Sequence, residues 1–239
     1  MNEIKALSAS LEDTIKDADL HSVTIELAET ITDSLLNDGL LREIPIIGTI
    51  VGLTKVSFHM SERLLINKIL SFLSEIKDID VEKRNRLISE IENSDKKRIR
   101  VGEKLLYILD KCDDHITAKY LAIVFAAFLN QELSYSEFLR CSNIIQKLFI
   151  NDLELFINTE VPNIEMSVDS HGSGLSDFQN SLITSGICAT EIERISVDDE
   201  DDYKSGRRYK VEGGTTYVYL SEIGLKLKNI LNKKTVNNT

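Results

Sequence analysis

Cys112, Asp113, Asp114 and His115 stand side by side in "KCDDHIT" and are the densest set of metal-ligating residue types in the chain. Thiolate, carboxylate and imidazole are donors that a divalent cation accepts. The same stretch suits a plainer role, with Asp113 or Asp114 capping a helix that begins near His115. The cap is the expectation. "DDEDDY", Asp198 to Tyr203, concentrates carboxylates but lacks the spaced oxygens and the glycine of a calcium loop, so it reads as a solvated acidic loop. Nucleophilic chemistry finds no G-x-S-x-G elbow, and His21, His59, His115 and His171 lie in four different segments. "GSG" at Gly172 to Gly174 and "GG" at Gly213 and Gly214 lack the rest of a phosphate-binding fingerprint and read as turns. A non-enzyme with no catalytic residue, no metal and no cofactor is expected.

Packing chemistry is more informative. "EIPIIGTIVGL", Glu43 to Leu53, is apolar and is punctuated by Pro45, Gly48 and Gly52. Pro45 suits the first turn of a helix, where its missing N–H is no loss. Gly48 and Gly52, four apart, permit close backbone approach between helices. These three residues are the candidate assembly site. A membrane span needs about 20 apolar residues. Between Glu43 and Lys55 lie eleven uncharged positions, and Lys55, His59, Glu62 and Arg63 interrupt the continuation. The segment is expected to be buried against the helix Tyr120 to Leu129 or against another copy, with contact of 44–60 with a membrane as an alternative.

The 239 residues are 42% apolar and 28% charged, with a net charge of −11. That size supports a sizeable core, and so acidic a surface repels phosphate backbones unless its cations are segregated. Two prolines and no Trp, with abundant Leu, Ile, Lys and Glu, favour helix. Cys112, Cys141 and Cys188 are far apart and odd in number, which fits a reducing cytoplasm. The opening "MNEIKALSASLEDTIKD" has no long apolar core, so no secretory leader is expected. The localisation expected is cytoplasmic, in an alternative peripheral to the membrane.

Periodicity supplies the elements. Leu7, Leu11 and Ile15, then Val23, Leu27, Ile31 and Leu35, mark amphipathic helices closed by a stop at Gly39. From Ile46 one helix is expected to run to about Ile79, with Leu65, Ile69, Phe72, Leu73 and Ile76 along one side. Asp80 is a candidate N-cap for the next helix, and two more follow before Gln131. Tyr120 to Leu129 is apolar on most faces and is the expected central core. Ser134 with Glu137, and Ser176 with Gln179, have capping-box spacing. After Asn158 turn-rich sequence, one strand "ICATEIERISV", a charged loop and a second strand "TTYVYL" precede a helix on Ile223, Leu227, Ile230 and Leu231.

The order helix, Gly, strand, loop, strand, "YLSEIGLKLKNIL" resembles a winged helix over residues 134–232, with Tyr217, Tyr219 and Leu220 in the strand, Ser221 as N-cap and Gly224 at a close contact. That likeness implies DNA binding, with Lys204, Arg207, Arg208 and Lys210 as a basic wing beside the acidic stretch. The helix that would read bases, "DFQNSLITSG", has no Lys or Arg. Residues 38–155, through "LLREIPIIGTIVGLTKV", "ERLLINKILSFL", "RVGEKLLYILDKCDD" and "KYLAIVFAAFLNQELSYSEFLR", resemble uncharacterised bacterial helical proteins whose relatives are linked with phage defence.

Together these readings give a mainly α chain, a multi-helix N-terminal and central bundle followed by a small α+β winged-helix-like domain. The expected divisions are N-terminal helices 1–43, a helical domain 44–133, the winged-helix-like domain 134–232 and a disordered tail 233–239. The expected function is a non-enzymatic assembly protein, with itself or a protein partner, in a phage-defence setting. A DNA-binding regulator and a membrane-perturbing effector acting through 44–60 are the alternatives.

Overall fold

The computed structural model describes residues 2–17, 20, 39–53, 60–92, 100–159, 166–168, 176–202 and 206–237. The chain is mainly helical with a small antiparallel component near its C-terminus. It divides into two compact units, Met1–Gln146 and Lys147–Thr239.

The first unit contains α1 (Asn2–Lys16), α2 (Gly39–Arg42), α3 (Pro45–Leu53), α4 (Met60–Ile76), α5 (Val81–Glu92), α6 (Val101–Asp110), α7 (His115–Leu129) and α8 (Tyr135–Lys147). Its core is the pairing of α4 with α7. Phe72 of α4 lies 5.4 Å, ring centre to ring centre, from Phe125 of α7, and Phe125 lies 5.3 Å from Phe138 of α8. α7 buries residues around its whole circumference, as its continuous apolar sequence requires. Phe138, Cys141, Ile144 and Ile145 close α8 onto this core. That burial is why the dividing line between units falls at the last residue of α8, later than the start at 134 expected for the winged-helix-like part.

Capping chemistry behaves as its spacing implies. The Asp80 carboxylate accepts from the N–H groups of Glu82 (2.9 Å) and Lys83 (3.2 Å). Ser134 and Glu137 form a reciprocal capping box. The helix stop expected at Gly39 is instead the first residue of α2. The single helix expected from Ile46 to Ile79 is represented by α3 and α4, and residues 54–59 between them lie outside the described residues, as do Val23, Leu27, Ile31 and Leu35.

The second unit begins with α9 (Ile150–Asn158), then β1 (Met166–Val168), α10 (Asp177–Ser185), β2 (Cys188–Ile192), β3 (Ser196–Asp202), β4 (Gly206–Glu212), β5 (Thr216–Leu220) and α11 (Glu222–Asn237). β1, β5 and β2 form an antiparallel sheet in that order, and β3 pairs with β4 in a separate hairpin. The expected strand "ICATEIERISV" is therefore two strands in two sheets. The expected charged loop is itself a hairpin. Its backbone register sets Asp198 opposite Lys210, Glu200 opposite Arg208 and Asp201 opposite Arg207.

The Ser176–Gln179 capping box opens α10. Ser221 caps α11, accepting from the Gly224 N–H at 3.0 Å and donating to Gly186 O at 2.9 Å. A side chain at position 224 would strike the Ile187 carbonyl, so glycine is required at that crossing. Leu227 and Leu231 are buried. α11 continues to Asn237, past the expected end at 232, because "NKKTVN" contains no helix breaker.

Candidate functional site

α3 begins at Pro45, where the ring costs no intrahelical bond. The next N–H, of Ile46, donates to Thr14 Oγ1 of α1 at 3.0 Å. Ile46, Ile47 and Ile50 form the buried side of α3, and its main packing partners are α1 and α2. This corrects the expectation of burial against Tyr120 to Leu129. The face of α7 is taken by α4, whereas the α1 hydroxyl of Thr14 meets the first turn of α3 at Ile46.

Pro45, Gly48 and Gly52 have different surroundings. A Cβ at Gly48 would sit 2.6 Å from the Arg42 carbonyl oxygen, so this notch is filled by the chain's own preceding turn. Gly52 has nothing within 4 Å of where a Cβ would stand, and it is exposed. Exposed apolar side chains occur on both helices among the described residues. Leu53 is 40% exposed, and Met60 (72%) and Leu64 (46%) lie one turn apart on the same side of α4.

Elsewhere in the first unit is a set of polar residues that the sequence does not reveal. The Glu12 carboxylate, buried, accepts from the Gly102 N–H at 2.8 Å. Gly102 lies at the N-terminal end of α6, where free N–H groups and the helix dipole favour an anion. The opposite end of α6 has cationic and amide donors: Lys68 Nζ reaches Asp110 O at 3.2 Å and Gln146 Nε2 reaches Ile108 O at 2.8 Å. Arg84, 1% exposed, donates to Ile79 O and to Ile15 O near the end of α1. Burial lowers the Arg84 pKa, and Asp17 and Asp80 oppose that shift. The available signal was positional: Arg84 occupies the same helical face as Leu87, Ile88 and Ile91.

The "KCDDHIT" residues separate by role. The Asp114 carboxylate accepts from Thr117 N at 2.7 Å as the cap of α7. The Cys112 thiol is directed at Ile108 O, and burial pushes its pKa up to about 12. His115 is exposed at the start of α7. No group of three or more His, Cys, Asp or Glu among the described residues is gathered to hold a metal. Burial likewise raises the Cys188 thiol to about 11. Neither thiol supplies thiolate at neutral pH.

Of the candidate DNA contacts, Lys204 lies outside the described residues. Arg207, Arg208 and Lys210 are on β4, each the register partner of an acid on β3, and Lys210 is also ion-paired with Glu212. α10 contains no cation and opens with Asp177. On the outward face of β5, Tyr217 and Tyr219 are exposed while Val218 between them is buried.

Fold and surface thus define a mainly helical protein with a small α+β unit and with exposed apolar side chains at Leu53 of α3 and at Met60 and Leu64 of α4. No family model, curated protein or solved structure matches the chain. Among the described residues, no helix is long and apolar enough to cross a membrane.

Proposed function

We propose that the protein is a non-enzymatic assembly component that associates with a second copy through the exit of α3 and the entry of α4. The observations that carry this are the exposed Leu53 beside the open Gly52 on α3 and the exposed Met60 and Leu64 one turn apart on α4. Glycine with free space above it lets an identical backbone approach closely across a two-fold axis, and the flanking apolar side chains then bury one another. The likeness of residues 38–155 to bacterial helical proteins linked with phage defence supports placing the assembly in that setting.

Sedimentation of the full chain over a range of concentrations tests the reading. The native protein associates, and Met60→Glu or Leu64→Glu shifts it to monomer without loss of helical signal, since both side chains are exposed. A native chain that stays monomeric throughout that range overturns the proposal.

A duplex-binding regulator is the second reading. The sheet order β1-β5-β2 followed by α11 supports the winged-helix likeness on which it rests. The pairing of β4 cations with β3 acids weighs against it, because phosphate affinity needs uncompensated cations. Membrane perturbation through 44–60 has less support: the nine residues of α3 span about 14 Å, about half the hydrocarbon core.

A further inference from the structure

We propose that the free edge of β2 receives an extended, basic segment of a partner protein as an added strand. The surface lies in the second unit, so the inference goes beyond the assembly reading and holds whether or not the chain self-associates. The three-stranded sheet ends at β2, which pairs with β5 on one side and, among the described residues, with no strand on the other. Ile187 O accepts from Ser221 N and Glu193 N donates to Thr215 O, each at 2.8 Å. Bonded and non-bonded pairs alternate along an antiparallel ladder. Ala189 and Glu191 therefore bond toward β5, and Thr190 and Ile192 turn their N–H and C=O groups to the free edge. Both of these residues are exposed, Ile192 at 68%. A row of outward main-chain groups is a template for strand pairing, and proline and lysine, which commonly blunt such an edge, are absent from Cys188–Ile192.

Charge selects the occupant. From Cys188 to Asp202 the sequence has seven acids and a single cation, Arg194. Glu191 and Glu193 share a face by the two-residue period of a strand. Both are exposed and neither is ion-paired among the described residues. On that same face Tyr217 is the register partner of Glu191 and Tyr219 that of Ala189, and both tyrosines are exposed. Carboxylates beside aromatic rings attract ammonium and guanidinium groups.

The ladder also sets the pattern of the incoming strand. Its residue opposite Glu191 occupies a non-hydrogen-bonded position, where cross-strand side chains come closest, so lysine or arginine fits there. Its residue opposite Ile192 lies on the other face against an exposed isoleucine, so an apolar side chain fits. The matching segment alternates basic and apolar residues. A second copy is a poor occupant, because antiparallel pairing of two β2 strands about Ile192 sets Glu191 against a second Glu193, and opposed like charges destabilise a sheet.

Amide hydrogen exchange of the full chain tests the site, with a short peptide of alternating lysine and valine as the probe. The peptide slows the Thr190 and Ile192 amides about tenfold or more, because an added strand gives them acceptors, while Leu121 to Phe125 in α7 are unchanged. Fluorescence anisotropy of the labelled peptide shows binding about tenfold weaker or more in the double variant Glu191→Lys, Glu193→Lys, whose replaced side chains are exposed. A peptide methylated on its valine nitrogens keeps every charge but loses the donors that face β2, and it does not bind. That arm leaves the protein untouched. Equal binding of the methylated peptide, equal binding by the double variant, or unslowed Thr190 and Ile192 amides overturns the proposal. Slowing of those amides by raised protein concentration alone makes the occupant a second copy, slowing by random duplex makes it a nucleic acid, and either result also overturns it.

Discussion

The carboxylate of Glu12 accepts a hydrogen bond of 2.8 Å from the backbone N–H of Gly102, ninety positions further along the chain. Both residues are buried, and the absence of a side chain on Gly102 is what lets α1 approach closely enough for the bond to form. The bond places a negative charge at the positive end of α6, while Lys68 places a positive charge at the other end. Two distant segments thereby satisfy a backbone group at each end of one helix.

Truncating the carboxylate exposes the cost of that arrangement. Glu12→Ala leaves the Gly102 N–H buried without an acceptor and removes a charge-assisted bond, so stability falls by about 2 kcal/mol. Urea denaturation followed by circular dichroism measures it. A loss below about 0.5 kcal/mol, the size of an ordinary surface substitution, would show that the bond is not a structural link.

Arg84 is a stricter case. Its guanidinium bridges Ile79 O at the entry to α5 and Ile15 O in α1, and the planar fork fits both acceptors. Arg84→Ala strands these carbonyls and opens a cavity, and the expected loss is about 3 kcal/mol. Arg84→Lys recovers only part of it, since one ammonium lacks the two-pronged geometry. Equal stability of the lysine variant and the native protein by urea denaturation would remove the bridging role.

The helices and caps of the first unit follow from local signals. Apolar spacing and Asp80, Asp114 and Ser134 act within a turn of their own position, so sequence exposes them directly. The Glu12, Thr14, Arg84 and Gly102 contacts couple residues 32 to 90 positions apart and have no local signature. For the same reason the apolar face of α3 is legible, whereas its packing on α1 rather than on Tyr120 to Leu129 is a tertiary fact. The β3–β4 hairpin is not legible because intrinsic propensity argues against acids in strands, and the register that sets them opposite Arg207, Arg208 and Lys210 is a pairing between segments.

Neutralising the acidic strand tests whether the hairpin cations are held in check. Asp198→Asn, Glu200→Gln and Asp201→Asn together leave Lys210, Arg208 and Arg207 with uncharged register partners. Random duplex is then retained in a gel at low ionic strength and released as salt rises, whereas the native chain shows no shift. Retention by the native chain itself would instead favour the duplex-binding reading.

Alkaline pH probes the buried thiols. Burial pushes Cys112 from its ordinary 9.0 up to about 12, with the nearby carboxylates Asp114, Asp113 and Asp110 acting in the same direction and Lys68 against it. Below about pH 9 the thiol is protonated in both folded and unfolded chains, and its contribution is constant. Between 9 and 12 the unfolded chain loses the proton while the folded chain keeps it, so stability falls as pH rises, by on the order of 2 kcal/mol at pH 10.5. Tyr135, also raised by burial, adds to the fall, and Lys228, lowered by burial beside the Phe156 ring, opposes it. Urea denaturation from pH 8 to 10.5, compared between the native chain and Cys112→Ala, isolates the thiol. The variant starts lower because of its smaller side chain but loses less with pH, and parallel curves would mean that Cys112 ionises in the folded protein as readily as in the unfolded one.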